Sequence, residues 1–259
     1  MNKTSQDKLE DNGDLTVAVL FSGGASGARY LFKEAEEREV NYEIAVGVTD
    51  SSKAPGIDVF NVKNVPVEVV RPDEQSVRDG DPGYFARVTR VIVRYDPDLV
   101  LLSGFMRIVK DPLLAKFSSR IVNVHPADLR IEENGERKYR GTDTVYRAII
   151  SGESEVRSTL HLVTPGVDEG PILVVSEPVS VNRKMVRCFE RFDKARIEDY
   201  ANLIQEWMKW ACDGPAISRA LALIGDGKVK LKDDRVAFED ETQLRRGYYD
   251  LKRGRVVFD

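Results

Sequence analysis

Short apolar runs alternate with amphipathic helical segments from Leu15 to His125, and this alternation restricts the fold more than any other feature. The runs are rich in aliphatic and β-branched residues, which are typical of buried strands. They are Leu15–Phe21, Glu43–Val48, Val65–Val70, Leu99–Leu102 and Ile121–His125. The segments Ala28–Arg38 and Tyr84–Tyr95 between them have apolar residues at helical spacing. Strands that alternate with helices in this way predict an α/β fold with a mostly parallel central sheet.

A glycine-rich loop follows the first predicted strand. Its sequence is Ser22-Gly23-Gly24-Ala25-Ser26-Gly27, and a predicted helix starts directly after it. A loop between a strand and a helix directs free backbone N–H groups at an anion, and glycine allows a close approach. The loop is neither a GxGxxG motif nor a Walker loop. The pattern is therefore compatible with a phosphate or carboxylate site and also with a tight turn without a ligand.

The strand Ile121–His125 carries two polar residues among apolar ones. Asn123 and His125 are two residues apart, so both side chains project from the same face of the strand. Pro126 ends the strand because proline cannot donate to a sheet ladder. The chain has only two histidines. One interpretation is a functional pair, and the other is a buried histidine with satisfied hydrogen bonds next to a turn asparagine.

Several of these features fall on one edge of the predicted sheet. In parallel α/β sheets, ligands bind beyond the carboxyl ends of the strands. The glycine loop, the turn Gly104–Val109 and the pair Asn123 and His125 all follow or end such strands. Asp168 lies in the loop Thr164–Pro171, from which its carboxylate can reach His125 but need not.

The segment Ala127–Arg140 is strongly charged, and its centre is Asn134-Gly135. This dipeptide favours a type I′ turn, so we predict a small solvated hairpin over the same edge. His161 lies in a further predicted strand, Ser158–Val163, where we assign it mainly a structural role beside the site.

The C-terminal part combines helices with short strands. Met185–Trp210 is predicted to be a long amphipathic helical stretch whose apolar stripe packs in the core or between subunits. Ala216–Ile224 is a further apolar helix, and Lys228–Asp259 is typical of a small β meander. We therefore expect a flexible N-terminus at residues 1–14, a catalytic domain at 15–180, a helical extension at 181–226 and a small β tail at 227–259.

Composition excludes several classes of protein. The formal net charge is −4 and the pI is about 5.5, so no nucleic-acid surface is expected. The two cysteines, Cys188 and Cys212, have no CxxC partner, which argues against a disulfide or zinc site. No apolar run approaches the roughly 20 residues that a membrane span needs. We expect a cytoplasmic protein, and the sequence shows no metal-binding cluster.

These motifs together resemble those of the phosphoribosylglycinamide (GAR) formyltransferase family, of which the chain looks like a divergent member. The family's Ser-Gly-x-x-Ser loop corresponds to Ser22–Ser26, and its Gly-Phe/Tyr-Met-Arg-Ile turn corresponds to Gly104–Ile108. Its Asn-Ile/Val-His-Pro motif corresponds to Asn123–Pro126, and its Val/Leu-Asp-x-Gly-Pro motif to Val167–Pro171. The likeness runs from about Leu15 to Val179.

The resemblance implies a Rossmann-like formyltransferase fold that uses 10-formyltetrahydrofolate as co-substrate. It assigns three groups of residues by position. The catalytic residues would be Asn123, His125 and Asp168. The folate pocket would be lined by Met106, Arg107, Ile108 and Val109. The phosphorylated acceptor would be held by Ser22, Gly24, Ala25, Ser26 and Gly27.

The departures from the family pattern concern the acceptor side. Gly27 stands where the family usually has asparagine, the charged segment Ala127–Arg140 replaces a short Pro-Gly-rich loop, and the region after Val179 is longer. Glycinamide ribonucleotide in purine synthesis is the leading acceptor. The alternatives are another amine (an amino sugar or a modified nucleotide), hydrolysis of formyl-folate, and a folate- or nucleotide-binding protein without catalysis. A homodimer is compatible with the sequence.

Overall fold

The computed structural model describes residues 14–73, 82–240 and 243–258, and most of the predicted N-terminal segment, residues 1–13, lies outside them. The strands are β1 (Leu15–Phe21), β2 (Tyr42–Thr49), β3 (Val67–Val69), β4 (Leu99–Leu102), β5 (Ile121–His125), β6 (Glu132–Glu133), β7 (Glu136–Arg137), β8 (Glu155–Val156), β9 (Thr159–Leu162), β10 (Ile172–Val175), β11 (Val179–Ser180), β12 (Val229–Lys232), β13 (Arg235–Asp240), β14 (Gln243–Asp250) and β15 (Arg255–Phe258). The helices are α1 (Ser26–Glu37), α2 (Gly56–Val62), α3 (Pro82–Val93), α4 (Leu113–Lys116), α5 (Thr144–Ile150), α6 (Arg183–Phe192), α7 (Ala195–Met208) and α8 (Gly214–Gly225).

A single twisted sheet forms the centre of the molecule. Its strand order is β12-β13-β14-β10-β9-β5-β4-β1-β2-β3. Strands β3, β2, β1, β4 and β5 are parallel to one another, and β9 runs antiparallel between β5 and β10. The predicted α/β class with a mostly parallel central sheet is therefore confirmed.

Helices cover both faces of the parallel strands. Val17 and Val19 of β1 pack in one buried apolar cluster with residues of α1 and α8, whereas Ala18 and Leu20 pack in a second cluster with residues of α3 and α4. This alternation follows from the two-residue period of a strand. Because both faces are covered, β1 and β4 are almost continuously apolar.

The predicted helical stretch Met185–Trp210 is interrupted in the structure. The chain forms two helices, α6 and α7, which are separated at Asp193 and Lys194. The backbone at Asp193 is extended, with φ −161° and ψ 85°, and this conformation ends α6. A π-helical turn, Lys209–Asp213, then connects α7 to α8.

The C-terminal strands extend the central sheet. Strand β14 pairs in parallel with β10, and β13 and β15 pair antiparallel with β14. Phe238 and Val236 are buried in the same apolar cluster as β1. The division at residues 180 and 226 stays a prediction, but the meander that we expected after Lys228 is present and packs against the main core.

Candidate active site

The carboxyl end of β5 holds the two polar residues that the sequence singled out. Asn123 lies directly opposite His161 of the antiparallel strand β9, and His125 lies opposite Thr159. Cross-strand neighbours of this kind have adjacent side chains on one face. The loop that follows β9 brings Asp168 to the same place, with its carboxylate 3.5 Å from Nδ1 of His125 and 3.4 Å from Nε2 of His161. The structure therefore brings the three predicted catalytic residues together.

His125 is buried between two hydrogen-bond acceptors. Its Nε2 lies 2.8 Å from the carbonyl oxygen of Tyr139, and its Nδ1 faces Asp168. A carbonyl oxygen and an ionised carboxylate can only accept, so both favour a protonated ring nitrogen. Burial opposes the charged form and outweighs these partners, so the pKa of His125 lies below its ordinary value.

His161 links Asn123 to Asp168. Its Nδ1 lies 2.9 Å from the carbonyl oxygen of Leu162, which assigns a proton to that nitrogen. Its Nε2 is 3.2 Å from the amide nitrogen of Asn123, from which it accepts a hydrogen bond when it is unprotonated. When it is protonated, the same nitrogen donates towards Asp168. Through Nε2, His161 therefore bonds to one of these two neighbours at a time, and the structural role expected for it stays a prediction.

Asp168 is held as a carboxylate. Burial acts to raise its pKa, but the hydrogen bond from His161, the charge of His125 and the backbone N–H of Gly141 together lower the pKa to about 2. The Gly141 nitrogen lies 2.9 Å from Oδ2 of Asp168. The backbone of Asp168 is in the left-handed region, with φ 54°. Aspartate tolerates this conformation better than most residues.

The glycine loop lies on the same edge, two strands away. Strand β1 pairs with β4, and β4 pairs with β5, so Leu20, two residues before the loop, is about 10 Å from Asn123 at ordinary strand spacing. The Oγ of Ser22 accepts a hydrogen bond from the backbone nitrogen of Met106 at 3.0 Å. Ala25 has φ 49° and turns the chain into α1. The hydrogen bond between Ser22 and Met106 fixes the glycine loop against the segment that follows β4, and the conformation of Ala25 sets the direction of α1.

The packing around Gly27 explains the missing asparagine. A Cβ atom on Gly27 would lie 2.5 Å from Oγ of Ser103 and 2.7 Å from Cδ1 of Ile217. The backbone nitrogen of Gly27 also donates to Oγ of Ser103 at 3.0 Å. A larger residue at position 27 therefore requires the side chains of Ser103 and Ile217 to move, and the N–H of Gly27 is occupied within the protein.

The four residues predicted for the folate pocket differ in their surroundings. Met106 and Ile108 are exposed, with relative accessibilities of 73% and 56%, whereas Val109 is buried in the core. The guanidinium of Arg107 donates from Nε to Asp50 at 2.7 Å and lies over the ring of Tyr84. The turn after β4 therefore presents two apolar side chains to solvent beside the glycine loop, while Arg107 and Val109 fix it to the protein.

The hairpin Glu132–Arg137 is present where Asn134-Gly135 predicted it, and both turn residues have positive φ. The sequence did not show that the following residues enter the site. The carbonyl of Tyr139 contacts His125 and the N–H of Gly141 contacts Asp168. Such backbone contacts cannot be read from the residue types.

Among the described residues, the structure contains no group of three or more His, Cys, Asp or Glu side chains arranged to hold a metal. None of the described helices is long and apolar enough to span a membrane.

An α/β sheet that carries an amide, an imidazole and a carboxylate at the carboxyl end of its parallel strands defines an acyl-transfer type of site. Comparison with known proteins supplies the family. A family model described as formyl transferase matches residues 15–198. The chain belongs to this family.

Individual relatives agree with this assignment. The chain is 34% identical over 165 residues to a phosphoribosylglycinamide formyltransferase from Mycobacterium tuberculosis. The aligned segment covers 64% of this chain and 71% of the relative. The crystal structure of glycinamide ribonucleotide transformylase 1 from Symbiobacterium toebii superposes with a TM-score of 0.67 at 24% identity, over 87% of this chain and 94% of that one. A formyltetrahydrofolate deformylase from Pseudomonas syringae pv. tomato has a TM-score of 0.67 at 18% identity, over 88% of this chain and 66% of that one. The two solved structures support the Rossmann-like formyltransferase fold.

Proposed function

We propose that this protein transfers the formyl group of 10-formyltetrahydrofolate to the amine of a phosphorylated acceptor, glycinamide ribonucleotide. The observation that carries the proposal is the convergence of Asn123, His125 and Asp168 at one edge of the sheet. The acceptor follows from the likeness to the mycobacterial enzyme, whose name includes it.

The chemistry suits these residue types. The amine nitrogen attacks the formyl carbon, and negative charge develops on the formyl oxygen. The amide N–H of Asn123, which His161 orients, donates to this oxygen. The imidazole of His125 adds positive charge when it is protonated. The new C–N bond forms as the bond from the formyl carbon to N10 of the folate breaks.

A proton must pass from the amine to N10 in the same reaction. Asp168 is ionised and lies beside both imidazoles. We assign to it the orientation of the imidazole or water that carries this proton. Removal of one fixed donor such as the Asn123 amide typically raises the barrier by about 2.7–4 kcal/mol.

The proposed substrate sites both lie on the side of this group that faces β4 and β1. Met106 and Ile108 offer apolar surface for the pterin ring, with Arg107 and Val109 supporting them. The acceptor phosphate is assigned to the glycine loop, at Ser22, Gly24, Ala25, Ser26 and Gly27. The cytoplasmic location, the homodimer and a reaction without a bound metal remain predictions from the sequence.

An absorbance assay of folate deformylation tests the proposal. We expect 10-formyltetrahydrofolate to be consumed when glycinamide ribonucleotide is present and not when it is omitted. The control is His125→Ala, which should have no turnover although its thermal unfolding remains cooperative. Consumption that is independent of the acceptor would instead support hydrolysis, the activity named for the deformylase with a similar fold. No consumption in either arm contradicts both activities.

A further inference from the structure

The charged segment after β5 contacts the loop that carries Asp168. We call residues 132–141 the clasp and residues 167–170 the aspartate loop. The clasp begins with the β6–β7 hairpin and ends at Gly141. It crosses over the aspartate loop at the carboxyl end of β5, so its contacts can fix the position of the catalytic groups.

Arg137 makes the most direct of these contacts. Its Nη1 donates to the carbonyl oxygen of Asp168 at 2.7 Å and to that of Gly170 at 2.8 Å. The guanidinium is therefore bonded to the loop on both sides of Glu169. A lysine has a single ammonium group on a flexible stem and lacks the planar, fixed set of donors that arginine presents. Arg137 is partly buried at this point, which limits competition from water.

The remaining contacts of the clasp reach the same groups. The N–H of Gly141 donates to the carboxylate of Asp168, and the carbonyl of Tyr139 accepts from Nε2 of His125. Arg140 forms ion pairs with Glu136 and with Glu169 of the aspartate loop. One continuous segment therefore contacts both the imidazole and the carboxylate of the proposed triad.

The aspartate loop needs support from outside itself. Asp168 has φ 54°, a conformation that non-glycine residues adopt infrequently. A Cβ atom on Gly170 would lie 1.7 Å from the carbonyl oxygen of Leu162, so the loop approaches β9 with no room for a side chain. Arg137 donates its hydrogen bonds to the carbonyl oxygens of these two constrained residues, Asp168 and Gly170.

We propose that Arg137 is a positioning residue: its guanidinium fixes the backbone of the aspartate loop and thereby sets the distance between Asp168 and His125. The inference rests on the proposed function, because only the proposed function makes Asp168 and His125 catalytic residues. It also assigns a role to the charged segment by which this chain departs from its family.

Kinetic comparison of matched variants tests the proposal. Arg137→Met removes the donors, Arg137→Lys keeps the charge but removes the guanidinium, and Lys138→Met is the control. Lys138 is the next residue of the clasp, and its ammonium pairs with Glu133 at 3.1 Å rather than with the aspartate loop. We expect both Arg137 variants to lower kcat by about 10- to 100-fold, the effect of a displacement of roughly 1 Å in a catalytic group. The KM values for both substrates should stay within about twofold of the wild type, because the substrate sites are elsewhere. Lys138→Met should retain the wild-type kcat.

Histidine NMR gives a second readout that does not require turnover. The protein contains only His125 and His161, so two ring titrations are followed by ¹⁵N chemical shift. The charged groups that face His125 are Asp168, His161 and Arg147, and the carbonyl of Tyr139 contacts its ring. Because Asp168 favours the protonated ring, its displacement lowers the pKa of His125. Arg137→Lys preserves the local charge, so a lower pKa of His125 in this variant reports movement of Asp168.

The outcomes are distinct. A fall in kcat with unchanged KM, together with a lower pKa of His125 in Arg137→Lys, supports the proposal. A wild-type kcat and wild-type histidine titrations in this variant overturn it, and so does an equal loss of kcat in Lys138→Met or an effect confined to KM. If the wild type does not formylate glycinamide ribonucleotide, the proposed function fails, while the histidine titrations still test the role of Arg137.

Discussion

Replacement of Asp168 by asparagine tests the charge of this side chain with little change in its shape. Asparagine can still accept the hydrogen bond from the N–H of Gly141, but it cannot attract a protonated His125 or His161. The side chain of Asp168 is only 11% exposed, so solvent screens these interactions weakly. The variant should therefore differ from the wild type in its free energy of unfolding in a pH-dependent way.

The magnitude follows from the pKa of Asp168. The pKa falls from the ordinary value of 3.8 to about 2 in the folded protein. At about 1.36 kcal/mol for each pKa unit, this corresponds to about 2 kcal/mol of stability. Because the folded pKa is the lower one, the contribution is present above pH 3.8 and is lost as the pH falls towards 2.

His125 changes the upper part of this profile. Its pKa lies below 6.5 in the wild type and should be lower still without Asp168. As the pH rises through the pKa of His125, the imidazole of the wild-type protein loses its proton. Its electrostatic attraction to Asp168 is then lost. The stability advantage of the wild type over Asp168→Asn should therefore be largest, about 2 kcal/mol, just above pH 3.8 and decline as the pH rises towards 6.5.

Urea unfolding of both proteins at intervals from pH 3 to pH 7 measures this difference. Subtracting the free energy of unfolding of the variant from that of the wild type cancels the contributions of groups that titrate alike in both proteins. A stability difference that is constant over this pH range would show that Asp168 does not interact with protonated histidine in the folded state, and the reasoning would be refuted.

Three further predictions concern the site and the core. Asn123→Ala should lower kcat by about 10²–10³-fold with a cooperative thermal transition, since it removes one fixed donor to the formyl oxygen; a loss below tenfold in steady-state kinetics contradicts this role. Gly170→Ala should lower the free energy of unfolding by about 1–3 kcal/mol or more, because its Cβ would meet a backbone carbonyl. Gly166→Ala is the control, since the nearest atoms to its Cβ would be Oε2 and Cδ at the flexible end of the Glu169 side chain and not a backbone carbonyl; equal urea midpoints for the two variants refute the steric argument. Phe238→Ala should cost about 3–5 kcal/mol, because Phe238 is fully buried in the central core; a loss below about 1 kcal/mol would show that the C-terminal strands do not share that core.

The elements with strong local patterns could be predicted from the sequence alone. Strand β1, helix α1 and the turn at Asn134-Gly135 were found because apolar period, loop composition and turn chemistry are properties of neighbouring residues. The break between α6 and α7 was not found, since the apolar stripe continues through Asp193 and Lys194. Periodicity alone does not show where the backbone leaves the helix.

Two members of the proposed triad were predictable for a similar reason. Asn123 and His125 are two residues apart on one strand, so their common face follows from strand geometry. The arrival of Asp168 beside them could be inferred only from the resemblance to a family, because the residues between positions 125 and 168 do not determine its path. In the structure, that path depends on β9 pairing antiparallel with β5.

The amino-acid sequence by itself determined the α/β class, the positions of the main strands along the chain and the polar positions on β5. Only the tertiary structure decided that Tyr139 and Gly141 bond to His125 and Asp168, that Arg137 bridges the two carbonyls of the aspartate loop, and that a Cβ atom on Gly27 would crowd the side chains of Ser103 and Ile217. The physical reason is the range of the interactions. Local patterns act over a few residues of one element, whereas these contacts join backbone groups and side chains from segments distant in the chain, whose distances are set by the packing of the whole sheet.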